Sequence, residues 1–297
     1  MIKLTDEATS HSAKPPKNGG QAAGDSHLTN PASEKLLDGH PKDAGQVIGY
    51  KLSVTIITKN EADNILACLE SVAWADEIVV VDSGSSDDTV NICKAFGAQV
   101  HKTADWPGFG PQKNRALSHA TGEWVLSLDA DERVPPELRF EIEAALKNPH
   151  DHAAFRMPRL SSFCGRFMRH SGWYPDYVTR LFHRGAARFS DDLVHERLIV
   201  DGSVGKLRQS LLHETFNDLD ELLIKINQYS TAGARMLSEK NKTASLKKAV
   251  GHAFWAFFRT YILRAGFLDG REGFMLAVST AESTYYRYAK LMLLNKH

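Results

Sequence analysis

From residue 51 onward, short apolar and β-branched runs alternate with stretches whose apolar positions recur every three or four residues. This is the pattern of βα units laid on a mainly parallel sheet. Residues 53–58 (SVTIIT) read as the first strand. Residues 61–72 follow with Ile65, Leu66, Leu69 and Val72 at helical spacing, and 77–81 (EIVVV) form a second strand apolar enough to be covered on both faces. Ser86 or Asp87 can cap a helix running to Phe96, where Gly97 stops it, and 99–102 make a third short strand. A helix over 112–120 leads to a fourth strand at 124–128, and Pro135 opens another helix through residue 147. Residues 150–215 are mixed, with a strand at 177–182, and beyond Leu219 the chain reads as helix to its end.

Residues 1–49 contain no Phe, Trp or Tyr and are scattered with proline and glycine, so they cannot bury enough surface to offset chain entropy. They read as a mobile tail, a short ordered cap built on Leu36 and Leu37 being the alternative. The chain then divides into an α/β domain over 50–218 and a helical region over 219–297.

Composition narrows the class. Of 297 residues, 42% are hydrophobic and 24% charged, and 36 Lys plus Arg balance 36 Asp plus Glu, which is globular and argues against a general nucleic-acid partner. Cys68, Cys93 and Cys164 lie far apart at no metal-ligand spacing, so reduced thiols and a cytoplasmic chain are expected. No stretch reaches the ~18 uncharged apolar residues of a spanning helix, and the first ten residues carry acids where a secretory signal would be basic and apolar. Charge is uneven, however. From Arg235 to the end, 11 Lys plus Arg face 4 Asp plus Glu.

In an open α/β sheet, ligands bind outside the carboxyl ends of the strands. Three predicted strands end in polar residues: Thr58 with Asn60 and Glu61, Asp82 with Ser83 and Gly84, and Asp129 with Asp131. Neither GxGxxG nor GxxxxGK[ST] occurs, which removes the dinucleotide and phosphate-loop readings. Asp-Ala-Asp after an apolar strand suits a nucleotide-diphosphate site that works through a hard divalent cation, the carboxylates holding the metal while phosphate oxygens complete its shell. The alternative is a pair of solvated acids capping the next helix. Asp82 at a second strand end favours the site.

The segments VTIITKNEADNI, IVVVDSGSSDDTV, GPQKNRAL and WVLSLDADE, in this order and spacing, resemble the GT-A domain of family 2 glycosyltransferases. The later SGWYPDYVTRLF, LVHERL and LLHETF, with GFLDGREGF and YYRYAKL near the end, resemble the lipopolysaccharide-core β-1,4-glucosyltransferase type. The resemblance implies a Rossmann-like, mainly parallel α/β sheet flanked by helices, with a helical C-terminal extension. It implies an inverting transfer of a hexose, glucose being the expected one, from a nucleotide sugar such as UDP-glucose to a lipopolysaccharide-core acceptor, with Mg²⁺ or Mn²⁺ as cofactor.

By the same resemblance Asp82 would recognise the base or ribose, Asp131 would hold the metal with Asp129 beside it, and Thr58 and Glu61 would line the nucleotide pocket. Lys113 and Asn114 match the family's basic-Asn pair, and a cation at Lys113 can neutralise phosphate charge. Glu196, in Val-His-Glu-Arg, falls where the family puts its base, although the usual form there is Glu-Asp. That departure brings in Asp191, Asp192 and His195, the two acids as alternative bases and the histidine as a substrate contact. The opposing reading of Glu196 is a simple ion pair with a basic neighbour.

His213, followed by Glu214 in an apolar setting, can complete a metal shell as a neutral imidazole or serve the core. Trp173, Tyr174, Asp176 and Arg180 could form a sugar-acceptor surface, core packing being the alternative for Trp173. In the helical region Val250, Phe254, Phe257, Phe258, Tyr261 and Ile262 make one stripe flanked by Lys247, Lys248, Arg259 and Arg264. That is the pattern of a helix lying on an anionic membrane, and it gives a peripheral position on the inner face of the cytoplasmic membrane. Two other functions compete: a nucleotidyltransferase making nucleotide sugars, whose Gly-rich opening loop is absent from 58–63, and an inactive nucleotide-binding module.

Overall fold

A computed structural model of the chain describes residues 51–191, 196–216 and 218–295. The expected tail over 1–49 lies outside them. Four strands, β1 (Leu52–Thr58), β2 (Glu77–Asp82), β3 (Gln99–Lys102) and β4 (Trp124–Asp129), are mutually parallel in the order β3-β2-β1-β4. Helices α1 (Ile65–Ser71), α2 (Thr89–Phe96) and α3 (Phe109–His119) form the connections. β2, read as covered on both faces, is buried at every residue but the half-buried Ile78, and every residue of β1 is buried as well.

The helix boundaries differ from the expected ones for local reasons. The first helix begins at Ile65 rather than 61, because Glu61 to Asn64 form a turn in which the Glu61 carbonyl accepts from Asn64 N and Ile65 N. α2 has Asp88 at its N-cap with no cap bond from that side chain, and the Asp87 carboxylate one residue earlier accepts from Thr89 N at 3.1 Å. α3 begins at Phe109, earlier than expected, because Pro111 sits in its first turn, where a missing N–H is harmless.

After β4 come β5 (Glu132–Arg133), α4 (Pro136–Lys147), β6 (His152–Phe163), β7 (Arg166–Phe167), β8 (Asp176–His183), β9 (Ala187–Phe189), β10 (Leu198–Val200), β11 (Ser203–Lys206) and β12 (Leu211–His213). The main sheet continues β4-β8-β6-β12-β5, and β8 runs antiparallel to both β4 and β6. The sheet is therefore mixed beyond its parallel half. The twelve-residue β6 was hidden in the sequence by Pro158 and by Arg156, Arg159, Ser161 and Ser162, which blur the strand pattern. One core fills the space between α1, α4 and the sheet, around Ile56, Leu69, Leu126, Leu138 and Ile142.

The C-terminal region comprises α5 (Leu219–Glu239), α6 (Leu246–Phe258), a π-helical segment (Arg259–Leu263), a short 3₁₀ turn (Gly266–Asp269) and α7 (Gly270–Leu294). Asp218 and Ser245 cap α5 and α6, accepting from the backbone N–H groups of Glu221 and Lys248. α7 packs on both helices. A second apolar cluster joins this region to the sheet domain: Phe163, Met168 and Phe216 meet Leu222, Ile226 and Leu276.

The sequence grouped six residues of this region as one stripe, and the structure divides them. Phe257 and Tyr261 are half-buried against Phe274 of α7, with ring centroids 5.7 and 5.5 Å away. Val250, Phe254 and Ile262 are exposed, together with Trp255, Leu263, Phe267 and Leu268. The π-helical segment changes the number of residues per turn, so regular helical spacing could not foresee which residues share the outer face. No helix among the described residues is long and apolar enough to cross a membrane.

Asp269 links the two regions in polar fashion. Its buried carboxylate accepts from Arg169 N and His170 N, at 3.2 and 2.9 Å, and contacts His170 Nδ1 at 2.9 Å. Asp269→Ala leaves those backbone donors unpaired, and we expect a loss of about 1–3 kcal/mol in urea unfolding with faster hydrogen exchange in α6 and α7. Unchanged exchange in those helices would show that the apolar cluster alone docks them.

Candidate active site

The parallel register sets the site. Thr58 pairs with Asp82 across β1 and β2, while Ile57 pairs with Asp129 across β1 and β4, so the three strand ends present their polar residues side by side. Asp82 is buried, and four donors from nearby residues saturate its carboxylate: Gly84 N at 3.1 Å, Ser85 N at 3.0 Å, Thr58 Oγ1 at 3.2 Å and Ser85 Oγ. Its carboxylate thus fixes the loop after β2. Asn60 ties this loop to the one after β1, donating from its N–H to Ser85 Oγ at 2.8 Å and accepting from Ser86 N at 2.8 Å. Asp87 likewise accepts from Ala62 N at 3.1 Å. Glu61 lies half-buried beside these loops, its N–H donating to Thr89 Oγ1.

At the β4 end, charge is concentrated. The Lys113 ammonium, buried on α3, lies 2.9 Å from Asp129 and 3.3 Å from Glu196. Arg180, crossing from β8, contacts Asp129 and lies 2.7 Å from Glu132. Glu132 is fully buried; it accepts from Asp129 N at 3.1 Å and faces Arg159 at 3.6 Å, which in turn holds Asp176 at 2.9 Å. Burial would raise the Asp129 carboxyl, but the charges of Arg180, Lys113 and Arg159 overcome it and hold the group far below the ordinary carboxylate range. Burial disfavours a charged Arg180, and Asp129 and Glu132 reverse that, driving it above its ordinary value.

Beside this network stand Asp131 and His213. One Asp131 oxygen lies 3.2 Å from His213 Nε2, while the other, Oδ1, is buried with no hydrogen-bond partner among the described residues. His213 Nδ1 is held by Ser161 Oγ and Thr215 Oγ1, both at 3.0 Å. Burial pushes the imidazole toward neutrality, but the Asp131 carboxylate outweighs it and raises His213 above its ordinary value.

Five carboxylates here, Asp129, Asp131, Glu132, Asp176 and Glu196, face three permanent cations, Lys113, Arg159 and Arg180. With His213 neutral, as a metal ligand must be, two negative charges are left over. An orphaned buried oxygen, an imidazole nitrogen beside it and a surplus of two negative charges fit a divalent cation. Among the described residues no three His, Cys, Asp or Glu side chains form a ready cage, so the remaining ligands of such an ion would come from elsewhere, as an open diphosphate site requires.

The other expected residues divide between the site and its surroundings. Glu196 comes directly after residues 192–195, and Ser190 and Arg197 close that segment's base through Ser190 N to Arg197 O at 2.9 Å. α3 lies close against Ser190 and Glu196: a Cβ on Gly110 would stand 1.9 Å from the Ser190 carbonyl oxygen and 3.4 Å from Glu196 Cβ. Asp191 is exposed, and Asp192 and His195 lie outside the described residues. Asn114 clasps the backbone of Phe189, donating to its oxygen and accepting from its nitrogen, both at 2.9 Å. Arg180, expected on an outward acceptor surface, is instead buried between carboxylates, because β8 runs antiparallel beside β4 and brings it to the β4 end. Trp173 packs on Phe163 and Phe216, with centroids 6.0 and 6.3 Å away, in the cluster below the C-terminal helices. Sequence reasoning overlooked Glu132, Arg159, Ser161 and Thr215. Only Glu132 carried a signal, as the acid directly after the Asp-Ala-Asp.

The family model for glycosyl transferase family 2 matches residues 53–205, more than half of the chain, and the chain belongs to that family. It is 31% identical over 253 residues to an uncharacterised glycosyltransferase of Rickettsia prowazekii, covering 81% of this chain and 86% of the relative. It is also 31% identical over 256 residues to the lipopolysaccharide core biosynthesis glycosyltransferase LpsC of Rhizobium meliloti, covering 80% and 93%. Among solved structures, S. aureus TarS 1-349 in complex with UDP overlaps with a TM-score of 0.45 at 16% identity, covering 83% of this chain and 91% of that one.

The His213 shift has a pH signature. A folded-state value raised above the ordinary 6.5 means that the stabilisation is complete below about pH 6.5 and is lost as pH rises through the folded value. Urea unfolding with a chelator present should therefore show stability declining upward from about pH 6.5, and His213→Gln should flatten that decline. Parallel pH profiles for the two proteins would contradict the Asp131–His213 pairing.

Proposed function

We propose that the chain is an inverting, metal-dependent transferase that moves a hexose, with glucose the expected one, from a nucleotide-diphosphate sugar to a lipopolysaccharide inner-core sugar. The observation that carries this reading is the surplus of carboxylate at the β4 end, with one Asp131 oxygen on His213 and the other, Oδ1, buried without a partner among the described residues. The acceptor class is supported by the 31% identity to LpsC over most of both chains. The choice of glucose, and of UDP as its carrier, rests on the family resemblance of the motifs.

In this mechanism Asp131 and His213 hold the cation, with Asp129 beside them. When bound, Mg²⁺ or Mn²⁺ supplies Lewis-acid stabilisation of the departing diphosphate. Thr58, Glu61 and the loop fixed by Asp82 line the nucleotide. Lys113 offers a fixed positive charge toward the phosphates. Glu196 accepts the proton of the acceptor hydroxyl as the new bond to the anomeric carbon forms on the face opposite the breaking carbon–oxygen bond, which inverts the configuration. The proton ends on Glu196 and the electron pair of the broken bond on the diphosphate. Asp191 and Asp192 are the alternative bases, and His195 a further acceptor contact, whereas Trp173 belongs to the apolar cluster with Phe163 and Phe216.

A lipid-linked acceptor calls for a membrane surface. The exposed apolar face around Phe254 and Leu263, beside exposed Lys247 and Lys248, suits an anionic leaflet and supports a peripheral position on the inner face of the cytoplasmic membrane.

The test is transfer measured across a panel of nucleotide sugars with truncated core lipopolysaccharide as acceptor, with and without Mn²⁺ or Mg²⁺. Asp131→Ala should abolish transfer and metal-dependent nucleotide binding, whereas Glu196→Gln should keep donor affinity and lower kcat by about 10²–10⁴-fold. Full activity in Asp131→Ala would remove the metal role, and a normal kcat in Glu196→Gln would move the base to Asp191 or Asp192.

A further inference from the structure

Between the sheet domain and the C-terminal helices lies a partly open cavity of about 100 Å³. One water needs about 10–15 Å³ by this measure, so the space accommodates a group the size of a phosphate. Lys225 of α5, Arg259 at the start of the π-helical segment and Arg264 just after it line this cavity, and among the described residues no Asp or Glu does. Lys225 is shared with Glu221 at 3.4 Å. Arg259 and Arg264 have no carboxylate partner among the described residues, and Arg259 Nε is buried without a hydrogen bond. Two net positive charges therefore face the cavity.

Arg264 is placed by backbone rather than by a counter-charge. Gly172 adopts φ +80°, and a Cβ there would stand 2.2 Å from Arg264 Nη1, so only glycine lets the guanidinium lie against this turn. Ser171 N also donates to the Arg264 carbonyl at 2.9 Å. Trp173 and Leu276 supply apolar walls. The same π-helical segment that carries Arg259 inward exposes Ile262 and Leu263 outward, next to Phe267 and Leu268. Residues that line a cationic cavity and residues of an exposed apolar face thus share one short segment, the pairing an anionic amphiphile requires.

We propose that this cavity binds the phosphate monoester headgroup of a membrane amphiphile. Arg259 and Arg264 donate to the phosphate oxygens, and the acyl chains pass over the exposed apolar face. A monoester carries close to two negative charges at neutral pH, matching the two unpaired guanidinium groups. The headgroup can belong to a phospholipid or to a phosphorylated glycolipid. The inference rests on the membrane-surface reading of the apolar face, and goes beyond it in assigning a headgroup-selective site.

Vesicles of phosphatidylcholine carrying either phosphatidic acid or oleic acid, matched in surface potential, separate a phosphate site from general charge attraction. The full chain should bind the phosphatidic acid vesicles about tenfold more tightly. Arg259→Gln and Arg264→Gln should each lose that preference, Arg259→Lys should keep part of it, and Lys247→Gln with Lys248→Gln should weaken binding to both vesicle types alike. Soluble glycerol phosphate should raise the Tm of the natural chain and not that of Arg259→Gln. Vesicles carrying a monophosphorylated glycolipid in place of phosphatidic acid identify the source, since the tighter of the two is the native headgroup.

Equal binding of the natural chain to both vesicle types, or a preference that survives both arginine substitutions, would overturn the cavity site while leaving the membrane face intact. Absence of binding to any vesicle with the glycerol phosphate shift retained would overturn the membrane reading and leave the phosphate site standing.

Discussion

The guanidinium of Arg180 clamped between Asp129 and Glu132 is the contact on which the site depends. Glu132 is fully buried, and a buried carboxylate is tolerable only when it is paired and hydrogen-bonded. The pairing exists because the sheet changes direction at β8. An antiparallel neighbour to β4 brings its early residues to the β4 carboxyl end, so Arg180 arrives where Asp129, Asp131 and Glu132 turn the chain. Glu132 then accepts from Asp129 N, which locks the turn that carries Asp131. The cations neutralise the inner carboxylates and leave Asp131 with an oxygen free for a ligand.

The parallel half of this architecture was legible in the sequence because apolar runs and helical spacing report directly on burial. SVTIIT, EIVVV and WVLSL each became a buried strand ending at a polar residue, and Asp82, Asp129 and Thr58 came together as the strand ends suggested. What escaped was set by long-range pairing. β6 carries arginines, serines and a proline because one end of it lies beside the charged network, so its pattern reads as a loop. The roles of Arg159 and Arg180 depend on the β6-β8-β4 register, and no local pattern encodes that register. Ser161 and Thr215, which hold His213, are small polar residues indistinguishable in sequence from surface positions.

In the helical region, spacing predicted amphipathic helices, and the helices formed. The outward face differed, because Phe257 and Tyr261 pack on Phe274 of α7 and the π-helical segment breaks the regular helical period beyond Phe258. The same segment sends Arg259 into the cavity beneath. A basic flank that looked like uniform attraction for a membrane is thus divided in space. Lys247 and Lys248 are exposed, whereas Arg259 and Arg264 line a cavity shared with Trp173. Trp173 in turn packs on Phe216 in the apolar cluster that joins the C-terminal helices to the sheet domain.

The central claim is that the buried Arg180–Glu132 pair holds the β4 turn in the geometry that binds a diphosphate through a divalent cation. Calorimetric titration of UDP, with and without Mn²⁺, into the natural chain and Glu132→Gln tests it most directly. Supporting residues one shell removed from a metal commonly affect its affinity by about 10–100-fold. Mn²⁺-dependent UDP binding is expected in the natural chain, and a loss of that order in a folded Glu132→Gln protein. UDP binding that ignores Mn²⁺, or an unchanged affinity in Glu132→Gln, would contradict it.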